Sequence, residues 1–152
     1  MPFDATRGTR GSRQPSGPLF RLINKVALRR LRRKGGKIMG FDALVLTTVG
    51  RKSGLERSNP VGRFPADNGG WLIVASAAGA TDNPAWYYNL AANPDKVYME
   101  LDGAKMQVDP VQLHGVDREN AWQQIKCAAP KFAQYEDKTD RQLPIIRLVP
   151  KL

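Results

Sequence analysis

The sequence predicts an α+β domain, mainly antiparallel β, whose strands close fully or in part into a barrel with short flanking helices. Three observations carry that prediction. About six short apolar, β-branched runs recur along the chain, and turn-forming residues separate neighbouring runs. Helical patterns are too few to alternate with strands as a parallel sheet requires. A length of 152 residues suits one domain with its own core.

Taken in order, residues 1–17 are rich in Gly, Ser, Pro, Thr and Arg, which predicts a disordered basic arm. Residues 18–34 read as a basic amphipathic helix. Leu19, Phe20, Ile23, Val26, Ala27 and Leu31 fall on one face, and Arg21, Lys25, Arg29, Arg32 and Arg33 on the other. Leu22 and Arg30 stand off their preferred sides, and Gly35 and Gly36 end the helix. The barrel occupies residues 38–152. Its first strand is residues 43–48 (ALVLTT), entering a turn at 51–54. Residues 56–64 and 71–76 form two more strands around Asp67, Asn68, Gly69 and Gly70, whose tolerance of positive φ suits a hairpin loop.

Asn83-Pro84 introduces a short helix carrying Trp86, Tyr87, Asn89 and Leu90, ending near Asn93-Pro94. Strands at 96–101 and 105–113 flank the hairpin pair Asp102-Gly103. Asp117 is the expected N-cap of a helix over 118–129, which Pro130 stops. A short segment with Phe132 and Tyr135 leads to the last strand at 143–149.

Hydrophobic residues make up 41% of the chain and charged residues 25%, a balance that excludes a membrane-embedded or wholly disordered chain. The single cysteine, Cys127, forms no intramolecular disulfide, and no apolar run approaches the ~20 residues that span a bilayer. Together with the lack of a secretory signal pattern, this predicts a cytoplasmic protein. The net charge of +10 is local: residues 1–37 hold eleven Lys and Arg against Asp4, whereas the remainder holds thirteen basic and thirteen acidic side chains. Any nucleic-acid or anionic-membrane contact therefore rests on the first 37 residues, not on the barrel.

The turn Thr47-Thr48-Val49-Gly50-Arg51-Lys52-Ser53-Gly54 joins small residues, which let the backbone approach an anion, to two cations and a hydroxyl. It suggests a phosphate site, although taken alone a solvated basic hairpin turn has the same composition. Arg57 and Asn59-Pro60 strengthen the first reading, because Arg57 and Asn59 share one face of the returning strand. Ser76, Ala77, Ala78, Gly79 and Ala80 follow an apolar strand, where small side chains expose backbone N–H groups to a planar ligand or simply let the strand exit. Trp86, Tyr87 and Tyr88 offer either a flat ligand wall or ordinary core. The lone His114 reads as a surface loop residue with no second ligand at metal spacing, so no metal is expected. Cys127 reads as a buried, inert thiol. Neither a Rossmann fingerprint nor a P-loop is present.

Three blocks stand in a specific order and spacing: residues 46–54, then Arg57-Ser58-Asn59-Pro60, then residues 83–94 (NPAWYYNLAANP). With Thr139-Asp140-Arg141 and Leu143-Pro144-Ile145-Ile146 near the end, they resemble the deazaflavin-dependent nitroreductase family over residues 45–150. The resemblance implies a split β-barrel of the flavin-reductase, FMN-binding-like type and coenzyme F-420 as cofactor. It further implies that Arg51, Lys52 and Arg57 hold the coenzyme's phosphate and acidic tail beside Ser53, Asn59 and Pro60. Ala75, Ser76, Ala77 and Ala78 would face the deazaflavin ring, and Trp86 and Asn89 would complete the wall. Members that reduce bulky nitroaromatic prodrugs place tyrosines where this chain has Gly62, Ala129 and Phe132, and only Tyr135 keeps its tyrosine. The implied acceptor is a small apolar quinone or activated alkene, with Tyr135 and Ser76 as candidates for proton donation or acceptor polarisation.

Three function classes compete: hydride transfer to such an acceptor, non-catalytic binding or carriage of the coenzyme, and nucleic-acid binding through the arm. The last ranks lowest, because no aromatic platform for bases accompanies the arginines. Residues 18–34 also fit an anionic membrane surface, where quinones reside, or packing on the barrel itself. No oligomeric state is specified.

Overall fold

A computed structural model describes Phe3 and residues 8–11, 17–34, 37–38, 41–67 and 69–151. Helix α1 spans Pro18–Lys34 and is followed by strands β1 (Lys37–Ile38), β2 (Phe41–Val49), β3 (Glu56–Gly62), β4 (Phe64–Pro65) and β5 (Trp71–Val74). A 3-10 turn at Ala77–Gly79 leads into α2 (Ala85–Ala92), then β6 (Val97–Leu101) and β7 (Ala104–Gln112). Helices α3 (Gly115–Ala128) and α4 (Lys131–Lys138) precede β8 (Ile145–Pro150).

All strand pairs are antiparallel, in the order β1-β2-β6-β7-β8-β5-β4, with β3 also on β2. β3 and β4 are successive halves of one run of chain around Arg63. The first half pairs with β2 (Thr48↔Arg57, Leu46↔Asn59) and the second with β5 (Pro65↔Trp71). That bridge joins the two ends of the sheet and makes it a barrel, the fold class the strand count implied.

Alternation along β2 sorts its two faces. Leu44 and Leu46 point into the main core with Ile73, Trp86, Tyr87, Leu90, Met99, Ile146 and Leu148. Ala43 and Val45 point outward, where Leu31 and Leu28 of α1 cover them. A second core of Phe64, Leu72, Trp122, Ile125, Phe132 and Tyr135 seals α3 and α4 against the β4, β5 and β8 side. The turns follow their chemistry. Asp102 and Gly103 both take positive φ (52° and 85°), which twists the β6–β7 hairpin in the sense the strands need. Gly70 (φ +77°) lies so close to the Leu148 carbonyl oxygen that a Cβ would collide with it.

Several expectations change. The helix after β7 starts earlier than predicted: His114, in extended conformation, is the N-cap, and Asp117 lies in the first turn, where its charge complements the helix dipole. Pro130 does more than stop that helix. It is the N-cap residue of α4, a helix not anticipated from two aromatic positions alone and held by burial of Phe132 and Tyr135. Cys127 is exposed, not buried, because α3 buries the stripe Arg118, Ala121, Trp122 and Ile125 and turns residue 127 outward. β5 ends at Val74, two residues short of expectation: the Ala75 N–H still donates in register to the Pro144 carbonyl, but proline has no N–H to return the bond, and the Ala75 and Ser76 carbonyls accept from Arg141 instead.

The barrel takes only part of the apolar face of α1. Leu31 is buried and Arg32 reaches Glu100 and Ser58, but Leu19, Leu22, Ile23 and Val26 are 56–70% exposed. Gly35 and Gly36, the expected helix stop, lie outside the described residues, as do Asn68 and most of the arm. Where the arm is described, it has partners. Phe3 meets Tyr87 edge-on at 6.3 Å, the Gly8 N–H donates to the Thr81 carbonyl, and Thr9 and Arg10 donate to the Asp140 carboxylate. These bonds hold Asp140 well below the usual carboxylate range, from 3.8 down to about 2.

Candidate functional site

The β2–β3 turn is built by its own backbone. The Gly50 N–H donates to the Leu55 carbonyl (2.8 Å), and the Gly54 N–H donates to the Gly50 carbonyl (2.9 Å). Gly54 supplies the left-handed residue (φ +71°), and Gly50 leaves room for the Ser53 hydroxyl, which accepts from the Leu55 N–H at 3.2 Å. Ser53 therefore shapes the turn and keeps its own proton free to donate. Asn89 of α2 accepts the Arg51 N–H at 3.1 Å, and Asn93 donates to the Val49 carbonyl at 3.4 Å, so α2 pins the turn.

On that frame Arg51, Lys52 and Arg57 are exposed, and among the described residues none of them is paired with a carboxylate. The Arg51 guanidinium lies 4.6 Å over the Tyr88 ring. Asn59 and Pro60 are half-buried on β3, and the β2–β3 register sets Asn59 opposite Leu46. Arg57 stands opposite Thr48, which is fully buried, with a hydroxyl oxygen that has no hydrogen-bond partner.

The strand exit at Ala75 and Ser76 is organised by a residue that sequence reasoning assigned no role. Arg141, 3% exposed, donates to the carbonyls of Ala80 (3.1 Å), Ala75 (3.0 Å) and Ser76 (2.8 Å) and to the Asn83 side chain. Burial lowers its pKa, while the nearby Asp82 charge works in the opposite direction. Asn83 in turn donates to the Tyr88 hydroxyl (3.3 Å), which donates to Asp82. The only sequence signal for Arg141 was its place in the Thr139-Asp140-Arg141 block.

The remaining predicted residues divide. Asn89 serves as the anchor of the turn, and Trp86, 7% exposed, packs in the main core. Ser76, the N-cap of the 3-10 turn, and Ala77, its first residue, are half-buried, and the Gly79 and Ala80 N–H groups bond back to the Ser76 and Ala77 carbonyls. Ala77 has positive φ (46°). Tyr135 is 8% exposed, edge-on to Phe132 at 5.5 Å, on a helix that packs against the 3-10 turn. Ala129 and Phe132, aligned with an acceptor pocket, belong to the same core, where Phe132 also meets Phe64 and Trp122 edge-on. Two open clefts of about 380 and 310 Å³ lie elsewhere, one at His114 and Gln142, the other between Phe64 and Gln124. Neither combines cations with the β2–β3 turn. Among the described residues no three His, Cys, Asp or Glu side chains converge on a metal-sized site.

Residues 19–150 match the F420H(2)-dependent quinone reductase family. The chain belongs to that family. The F420H(2)-dependent quinone reductase Rv1261c of Mycobacterium tuberculosis is 34% identical over 120 residues, covering 76% of this chain and 79% of that protein. A solved F420-H2-dependent reductase, FDR-A, superposes with a TM-score of 0.61 at 34% identity, covering 70% of this chain and 92% of its own. A second structure, described as a domain-swapped dimer, gives a TM-score of 0.63 at 29% identity over 86% of this chain and 99% of its own. This quinone reductase family membership places the chain among deazaflavin-dependent reductases of the split-barrel type.

Proposed function

We propose that the protein transfers a hydride from reduced coenzyme F-420 to a quinone-like acceptor, using the β2–β3 turn to hold the anionic end of the coenzyme. The observation that carries this reading is the turn and the start of β3: Arg51 and Lys52 in the turn and Arg57 on β3 are exposed and, among the described residues, unpaired with any carboxylate, on a frame that α2 pins twice. An orphan buried hydroxyl, Thr48, beside Arg57 fits the same polar ligand. Arg51, Lys52 and Arg57 would bind the phosphate and acidic tail, with Ser53 donating its hydroxyl proton and Asn59 and Pro60 flanking them. Ser76 and Ala77, half-buried, would offer a low, small-residue surface to the flat ring, with Ala75, buried in the main core, beneath it and not facing the ring, and Trp86 and Asn89 fixing the wall behind it.

When bound, the reduced coenzyme supplies the hydride. The chain's own part is to orient, exclude water and deliver a proton. Hydride arrival at a quinone leaves negative charge on oxygen, and Tyr135 or Ser76 would stabilise or protonate it. Family membership favours turnover over carriage of the coenzyme. Anaerobic mixing of the purified protein with reduced coenzyme and menadione tests this reading: catalysed oxidation supports it, and tight binding without oxidation across quinones and enones favours a carrier. Removing one transition-state donor costs about 10²–10³ in kcat, so Tyr135→Phe and Ser76→Ala should separate the two proton candidates.

A second reading concerns where the acceptor is met. The barrel leaves Leu19, Leu22, Ile23 and Val26 of α1 exposed beside Arg29, Arg30 and Arg33, the layout of a helix lying in a lipid interface. No helix among the described residues is long and apolar enough to cross a membrane. Flotation with phosphatidylglycerol vesicles should recover the wild type and lose a variant with all four apolar residues changed to Ser. Equal recovery would sink the membrane reading.

A further inference from the structure

We propose that Arg141 is a positioning residue of the coenzyme site, fixing the 75–80 segment and coupling it through Asn83 and Tyr88 to the cation turn at Arg51. The inference rests on the coenzyme reading above. Its physical basis is the way a buried charge is spent. A guanidinium removed from water needs its donors satisfied, and the usual solution is a carboxylate in direct contact. Here the contacts are three backbone carbonyls and one side-chain amide oxygen.

Those carbonyls belong to Ala75, Ser76 and Ala80, which bracket the 3-10 turn Ala77–Gly79. A rigid planar fork can hold three points of one loop together, and a lysine ammonium cannot reproduce that spacing. The left-handed Ala77 between the held carbonyls is a conformation that L-residues adopt only when their surroundings enforce it. Arg141 contributes to that enforcement from both sides of Ala77, alongside the turn's own Gly79 and Ala80 N–H bonds and the packing of α4.

The chain of contacts then leaves the loop. Asn83 accepts from Arg141 and donates to the Tyr88 hydroxyl at 3.3 Å, and the Tyr88 ring lies under the Arg51 guanidinium at 4.6 Å. One continuous set of contacts thus spans the two ends of the proposed site, the ring-facing segment and the anion-binding turn. A coenzyme with a flat ring at one end and anionic groups at the other needs those ends held at a fixed separation.

The test compares Arg141→Lys, Tyr88→Phe and, as a control, Arg118→Lys with the wild type, reading reduced-coenzyme Kd by fluorescence titration and backbone hydrogen exchange. Arg118 is also buried, and it also donates to a carbonyl, that of Leu143, but it lies outside this set of contacts. Arg141→Lys should raise Kd by about tenfold to a hundredfold, as expected for displaced binding groups, and speed exchange at both 75–80 and 51–54. Tyr88→Phe, which keeps the ring under Arg51 but loses the hydroxyl's hydrogen bonds to Asn83 and Asp82, should raise Kd about fivefold and speed exchange only at 51–54. Arg118→Lys should lower thermal stability and leave Kd unchanged.

A folded Arg141→Lys protein with Kd within twofold of wild type overturns the proposal, as does an equal rise in Arg118→Lys. If Arg141→Lys does not fold, Tyr88→Phe decides alone, and an unchanged Kd overturns the coupling. Absence of coenzyme binding by the wild type is a separate result that removes the coenzyme reading and the proposal with it.

Discussion

Replacing Arg51 with Gln should weaken coenzyme binding far more than it weakens the fold. The side chain is exposed, and its packing partner is the Tyr88 ring at 4.6 Å, a contact worth about 0.5–1 kcal/mol at an exposed site. For a chain of this size each kcal/mol moves the thermal midpoint by roughly 2–4 °C, so the midpoint should fall by no more than about 4 °C. The turn itself should persist, because Asn89 holds the backbone N–H of residue 51 and not its side chain. A hydrogen bond from the guanidinium to an anionic coenzyme group is worth about 1.5–3 kcal/mol. At about 1.4 kcal/mol per decade, that is a roughly tenfold to hundredfold rise in Kd. Fluorescence titration with reduced coenzyme F-420 at two salt concentrations is the assay, since the effect of an exposed charge shrinks as the Debye length falls toward ~8 Å in physiological salt. A Kd within twofold of wild type at low salt would refute the assignment of Arg51.

The Asp140 carboxylate should hold arm residues Thr9 and Arg10 across the neutral range. Its pKa is depressed to about 2, so that contribution is complete above 3.8 and is lost as pH falls toward 2. Hydrogen exchange at residues 8–10 should report release only in that acid window, and Asp140→Asn should weaken the arm's protection at neutral pH. Gly70→Ala should destabilise the protein by roughly 1–3 kcal/mol in denaturant unfolding, since it forces a left-handed Ala against the Leu148 carbonyl. The exposed Cys127 should react with a thiol reagent in the native protein at a rate close to that in denaturant.

The strands were legible wherever local chemistry and burial agreed. β2 alternates between the main core and the underside of α1, and its register on β3 puts Arg57 and Asn59 on one face, as the period-two pattern implies. Asp102-Gly103 forms the hairpin its φ preferences demand. The misses share one cause, which is that tertiary contacts outvoted local signals. α4 offers only Phe132 and Tyr135 as apolar markers, too few for a helical period, and is stabilised by aromatic edges from Phe64 and Trp122. Cys127 turned outward because Trp122 and Ile125 set the buried stripe of α3. The wide apolar arc of α1 was legible, but not that the barrel would fully bury it at Leu31 alone and leave Leu19, Ile23 and Val26 exposed.

In the candidate site, the turn itself was legible, because Gly50 and Gly54 flank Arg51, Lys52 and Ser53 where the backbone needs room and a left-handed residue, and its cations are exposed as either reading of the turn requires. Arg141 was not, since its partners lie 58 to 66 residues away and are backbone carbonyls and an amide that no side-chain pattern announces. Asn89 was named as part of a ligand wall, whereas its oxygen holds the Arg51 N–H.

The central claim is that coenzyme binds across the span from the β2–β3 turn to the Ala75–Ser76 exit. Backbone hydrogen exchange with and without reduced coenzyme F-420 tests it most directly. Exchange should slow at residues 50–58 and 75–80 together, with the His114 and Gln142 cleft unaffected; protection confined to that cleft, or absent from both segments, would contradict binding across this span.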